Sequence, residues 1–153
     1  GQQVVAGDGG YGMTQLTTPV PDYEQCWSWK ENIRGGVQLY QQKQLAARHY
    51  LGQCGRRYTS DQLANETLSR WNGGGYHTWN EQAQSWERNP AMVCDPATGN
   101  IGWDTSYPVN SEAMADQLHE RDKGTYTQMK AGQSAEHKWK YSGVCYADHI
   151  ASP

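Results

Sequence analysis

The sequence predicts a single, mainly α-helical domain, and three observations predict it. At 153 residues the chain has the length of one domain able to bury one proper core. From about Trp27 to Leu51, the residues Trp29, Ile33, Val37, Tyr40, Ala47 and Leu51 recur close to a 3.6-residue period, with polar Gln and Lys between them. Beyond that segment, Thr59 and Gln62 stand at the spacing of a capping box ahead of another apolar face.

Taken in order, residues 1–22 read as loop, because Gly7, Asp8, Gly9 and Gly10 with Pro19 and Pro21 punctuate rather than propagate structure. Within the first helix, Gly35 and Gly36 each cost about 1 kcal/mol relative to Ala, which predicts a close approach by something at that point. Gly52 and Gly55 close it. A second helix is expected over 60–70, with Leu63, Thr67, Leu68 and Trp71 facing inward. The stretch from Asn72 to about Pro108 is rich in Gly, Asn, Pro and Trp and reads as a functional loop or short helical turns. A third helix follows Asn110, with Ala113, Met114, Gln117 and Leu118 on one side. A shorter one is expected from about Tyr126 to Gln133, and a last one from His137 to Ile150, interrupted by Gly143.

Composition narrows the function classes. Only 36% of residues are apolar, but 7 Trp and 10 Tyr with no Phe give aromatic surface that carries N–H and O–H groups. Such side chains serve a half-wet sugar-stacking groove as well as a core. The net charge of −3 excludes a general nucleic-acid binder, which needs a basic surface. It also supplies no strong pull toward an anionic cell wall. No run approaches the ~20 apolar residues of a membrane span. No signal peptide is expected within these residues, and a chain opening at Gly1 without Met reads as a processed or excised product.

Cys26, Cys54, Cys94 and Cys145 are dispersed, with no C-x-x-C pair, so a zinc site has little support. Two disulfides in an oxidising compartment are expected, with free buried thiols as the alternative. The preferred pairing is Cys26–Cys54 and Cys94–Cys145, since each links neighbouring segments in chain order. His49, His77, His119, His137 and His149 show no metalloprotease spacing, so no metal and no cofactor are expected. Ser134 and Ser142 lack a nucleophile-elbow context, and nothing around Cys26 or Cys54 supports cysteine-hydrolase chemistry.

Two segments are unlike generic helical protein. One runs Gly7-Asp8-Gly9-Gly10-Tyr11-Gly12-Met13-Thr14-Gln15-Leu16, the other Arg70-Trp71-Asn72-Gly73-Gly74-Gly75-Tyr76. Neither has phosphate-loop spacing. Together and in this order they resemble the goose-type lysozyme and soluble lytic transglycosylase group, which has a Gly-(aromatic)-Gly-Leu-Met-Gln motif and a later Tyr-Asn-(Gly/Ala)-Gly motif. Residues 27–36 and 143–150 also resemble helices of that group, so the likeness spans nearly the whole chain.

The resemblance implies a mainly α, lysozyme-like single domain over 1–153 with a saccharide groove. By analogy Gln15 lines the groove near the cleaved bond and Tyr11 packs beneath it. Asn72 contacts substrate or holds the acid, with a helix C-cap as its structural alternative. Gly73, Gly74 and Gly75 let backbone approach the sugar beside Tyr76. Trp71 stands where the group has Tyr, which alters any hydrogen bond to the catalytic acid.

Glycosidic cleavage needs a carboxylic acid whose pKa is raised by a partly apolar pocket. In the group that Glu lies on a helix about a dozen residues before the Gly-rich motif, and here Gly1 to Gly7 include no acidic residue. Three explanations stay open: an N-terminal helix carrying the Glu lies outside this chain, a carboxylate within it substitutes, or the domain binds without cutting. Glu24, between Pro21 and the Trp27/Trp29 pair, is the preferred substitute. Asp8 is the candidate for positioning a water. The expected function is cleavage of the MurNAc–GlcNAc backbone of peptidoglycan by a secreted or periplasm-acting enzyme, such as an exported toxin with an inhibitor or immunity protein as partner. A non-catalytic peptidoglycan-binding or structural cell-wall module is the alternative.

Overall fold

The computed structural model describes residues 3–7, 9–126 and 138–151. The chain forms two compact units, Gly1–Leu45 and Ala46–Pro153. The first unit consists of a loop with the short helix α1 (Tyr23–Trp27) and the first part of α2 (Trp29–Gly52). Asp22 caps α1 by accepting from the Gln25 N–H at 2.8 Å, and Gln25 Oε1 accepts the Asp22 N–H at 3.0 Å. The loop lies on the α2 arc made by Asn32, Gly35 and Gly36, all three buried. The close approach expected at the paired glycines is there. A Cβ on Gly36 would collide with Thr14, and one on Gly35 would press on the side chains of Gln25 and Leu16.

The second unit begins with the last turns of α2 and a 3-10 turn, Gln53–Gly55, with Cys54 inside it at φ 57°. The next helix, α3 (Ser60–Trp71), starts on the expected capping box of Thr59 and Gln62. Two hairpins follow. In the first, β1 (His77–Asn80) pairs antiparallel with β2 (Ser85–Arg88), setting Trp79 opposite Trp86. The Asn80 side chain accepts the N–H groups of Gln82 and Ala83, which fixes the turn. In the second, β3 (Met92–Cys94) pairs with β4 (Ile101–Asp104), and β5 (Lys140–Tyr141) adds to the other edge of β4. Between β4 and β5 lies α4 (Ala115–Asp122), and α5 (Gly143–Ala151) ends the described chain.

The fold is therefore mixed α/β, with two small antiparallel sheets among the described residues, and not the expected mainly α lysozyme-like domain. The departure lies in the stretch from Asn72 to Pro108. Its strands are only three or four residues long, too short for alternation to declare itself in sequence. Their stability comes from cross-strand pairs such as Trp79–Trp86, with ring centroids 5.2 Å apart. Near the C-terminus, Gly143 opens a helix instead of interrupting one, and Lys140–Tyr141 is strand. Most of the helix expected from Tyr126 to Gln133, and His137, lie outside the described residues.

The second unit has two apolar clusters. One packs Tyr76, Met92, Val144, Cys145 and Ala147 between the C-terminal helix and the strands. The other packs Ile101, Trp103, Leu118 and Trp139. Each buried indole N–H has an acceptor: Trp86 donates to Leu51 O at 3.0 Å, Trp103 to Asp122 at 2.8 Å and Trp139 to Thr125 at 2.7 Å. Cys94 and Cys145 form a disulfide tying β3 to α5. The expected Cys26–Cys54 bridge is not formed, and both are free thiols. Cys26 is half-buried on α1 with its Sγ 4.0 Å from Pro21 O, while Cys54 is exposed in its left-handed turn. No helix among the described residues is long and apolar enough to cross a membrane.

Candidate functional site

The first unit holds a cleft of about 210 Å³, built on a single buried amide. Asn32, 1% exposed on α2, accepts the Thr14 N–H and hydroxyl through Oδ1, both at 3.0 Å. Its Nδ2 donates to Tyr11 O at 2.9 Å and to Gln25 O at 3.2 Å. All four bonding positions of the amide are thus filled. They staple both the Gly-rich loop and the middle of α1 to α2. Gly12, at φ +71°, is required here, since a Cβ would run into the Asn32 amide.

Beside that staple, Gly12 and Met13 of the loop line the cleft together with Gln25, Trp27 and Trp29. The two indoles are 56% and 62% exposed, an arrangement of aromatic faces beside amides and backbone that suits the apolar faces and hydroxyl rims of a sugar ring. Among the described residues, none that lines the cleft is acidic.

Tyr11 is half-buried in the loop, exchanging backbone hydrogen bonds with Leu16. Gln15 is exposed, sits at φ 52° and folds back to donate to Gly12 O at 2.6 Å, so it does not line the cleft. Glu24 is exposed in the first turn of α1. Asp8 lies outside the described residues.

The other candidates belong to the second unit. Trp71 is the last residue of α3, and Asn72 is its C-cap. Gly73 makes the turn at φ +86°. Gly74 presses against α5, where a Cβ would stand 3.3 Å from Gly143 N. Tyr76 is buried and donates to Asp148 at 2.6 Å; burial first, then that bond, pushes its phenol up to about 12.

The sequence reading missed Glu66, a fully buried carboxylate on α3. Its Oε2 accepts the N–H groups of Tyr76 and His77 at 3.0 and 2.9 Å and faces His77 Nδ1 at 3.0 Å. Its Oε1 pairs with Arg70 Nε at 2.8 Å. Burial by itself would raise its pKa, but the His77 side-chain and backbone bonds and the Arg70 charge outweigh burial and hold it below the ordinary value. Glu66 is an ionised anchor for the loop after the triple glycine. A general acid must carry a proton near neutral pH, so these surroundings do not suit that role.

Asn32 was missed too, although one signal was available. Asn32, Gly35 and Gly36 form a second helical arc of small and polar residues beside the apolar stripe. Among the described residues no three His, Cys, Asp or Glu side chains converge on a metal position. No family model matches this chain, and neither curated proteins nor solved structures give a match.

Proposed function

We propose that the chain acts on the glycan strands of bacterial peptidoglycan, seating a sugar in the cleft of the first unit, and that it works as a muramidase or lytic transglycosylase. One observation carries this reading. The Gly-rich segment that resembles the peptidoglycan-cleaving group is held rigidly by Asn32 beside two exposed indoles, as a saccharide subsite requires. The disulfide fits a secreted or periplasm-acting protein, for which an inhibitor or immunity protein is a suitable partner.

Cleavage needs a proton donor at the leaving oxygen. Glu24 directly precedes the cleft-lining Gln25 and is the carboxyl of α1 closest in sequence to that wall. The experiment is incubation of the chain with purified sacculi and mass spectrometry of what is released. Anhydro-muropeptides report a transglycosylase and reducing ends a hydrolase, and full activity of Glu24→Gln removes Glu24 from the mechanism. The second reading, a module that binds glycan without cutting it, is favoured by the neutral side chains of the described cleft-lining residues. It predicts co-sedimentation with sacculi, lost on Trp27→Ala with Trp29→Ala, and no released muropeptide.

A further inference from the structure

The disulfide of the second unit is surrounded by charge on its more open side. Cys145 is 2% exposed and lodged against Gly102, whereas Cys94 is half-buried. Arg88 on β2 brings Nη2 to 3.1 Å from Cys94 Sγ. The guanidinium is fixed by Asp148 on α5, at 2.9 Å from Nε, and by the carbonyls of Asn89 and Met92, at 3.0 and 2.8 Å from Nη1. Asp148 itself stands 3.7 Å from Cys94 Sγ, but Arg88 and the Tyr76 hydroxyl already engage it. Of the two charged groups at this sulfur, the guanidinium is the nearer and the one able to donate to it, although the same Nη2 also pairs with Asp148 Oδ2 at 2.8 Å.

We infer that Cys94–Cys145 is a thiol-exchange site, opened by a dithiol reductant, in which Arg88 receives the charge of the Cys94 thiolate. The reductant's first thiolate attacks Cys94 Sγ, the sulfur within reach. The S–S bond breaks, Cys145 leaves with the electron pair and takes a proton from solvent, and a mixed disulfide stands on Cys94. The reductant's second thiolate then attacks its own bridged sulfur, closing the oxidised reductant and expelling Cys94 as a thiolate. A thiol of lowered pKa is the better leaving group, and a cation at hydrogen-bond distance lowers it. The dithiol is oxidised, the protein disulfide is reduced, and the tie between β3 and α5 is released. The site does not depend on the saccharide reading, and its test contains no glycan.

The test equilibrates the oxidised protein with reduced and oxidised dithiothreitol, quenches in acid and counts alkylated thiols. Arg88→Gln is expected to be harder to reduce than the parent by roughly tenfold, the equivalent of one pKa unit. Loss of a merely structural arginine acts in the opposite direction, because a loosened fold surrenders its disulfide more readily. Unchanged or easier reduction of Arg88→Gln therefore overturns the assignment. A second measurement does not need that variant. In Cys145→Ala, the rate of iodoacetamide alkylation of Cys94 is followed against pH in the folded chain and in urea. A folded-state midpoint below the ordinary thiol value of about 8.5 supports the site, and a midpoint at or above it refutes it.

Discussion

Nδ1 of His77 lies 3.0 Å from Oε2 of Glu66, and the backbone N–H of the same histidine reaches that oxygen at 2.9 Å. One carboxylate oxygen thus fixes both the side chain and the main chain of the first residue of β1. Tyr50 completes the hold by donating to His77 O at 2.8 Å, while the Arg70 guanidinium stacks 4.8 Å from the Tyr50 ring. This arrangement holds the start of the first hairpin to α3 through charge and hydrogen bonding.

Glu66→Gln keeps the shape but removes the charge that Arg70 and the two N–H groups face. Breaking one side of a buried pair costs about 3–5 kcal/mol, and thermal unfolding of the variant should show a loss of that order. The same carboxylate sets the acid limit. Its folded pKa lies below the unfolded one, so its contribution is complete above pH ~4.5 and is lost as pH falls through the folded value. Denaturant midpoints should drop through that window in the parent and be flatter there in Glu66→Gln. Equal acid sensitivity of the two proteins would exclude Glu66 as the group responsible.

Helices were legible in the sequence wherever local rules decide them. Thr59 with Gln62 starts α3, and the stripe through Ala47 and Leu51 ends buried as its period requires. The N-terminal part of the same stripe stays open at Trp29 and Val37, which periodicity alone does not distinguish from a core face. The hairpins were illegible because Trp79 and Trp86 support each other across six intervening residues, in strands too short to alternate. Glu66 and Asn32 were hidden for another reason. Each is a polar residue on a helix, ordinarily a solvated one, and only a loop returning from elsewhere in its own unit makes it a buried hub. The Gly-rich segment did mark where that loop returns, since Gly12 is the position at which it meets Asn32.

Gly12→Ala tests that meeting point. The substitution places a Cβ on the Asn32 amide and forces a non-glycine residue to φ +71°. The left-handed conformation alone costs about 1–2 kcal/mol, and displacing a saturated buried amide adds to it. Sedimentation with sacculi should fall at least as far as in Asn32→Ala. Undiminished binding by both variants would show that the loop's position is irrelevant to the glycan.

Thiol counting resolves the cysteines directly. Denatured without reductant, the chain should expose two maleimide-reactive thiols, Cys26 and Cys54, and four after reduction. The bridge closes a span of 51 residues, for which the chain-entropy model gives about 4 kcal/mol. Cys94→Ser should lower the unfolding midpoint accordingly, while Cys54→Ser should leave it unchanged.

Gly143→Ala addresses how closely α5 lies on α3. A Cβ at this position would strike the Ser69 carbonyl and stand 2.8 Å from its hydroxyl and 2.9 Å from Gly74 N. Two of those three obstacles are backbone, so no rotamer change relieves them and the helices themselves must part. Overpacking of this kind costs about 1–3 kcal/mol, and here it also strains the turn that Gly74 N closes on Ser69 O at 3.0 Å. Gly124→Ala is the control, because a Cβ there meets nothing within 4 Å and φ is not positive. It should stay within about 0.5 kcal/mol of the parent, as surface substitutions do. A Gly143→Ala protein as stable as Gly124→Ala would mean that the contact between α3 and α5 has slack, and that the glycine is not what lets them meet.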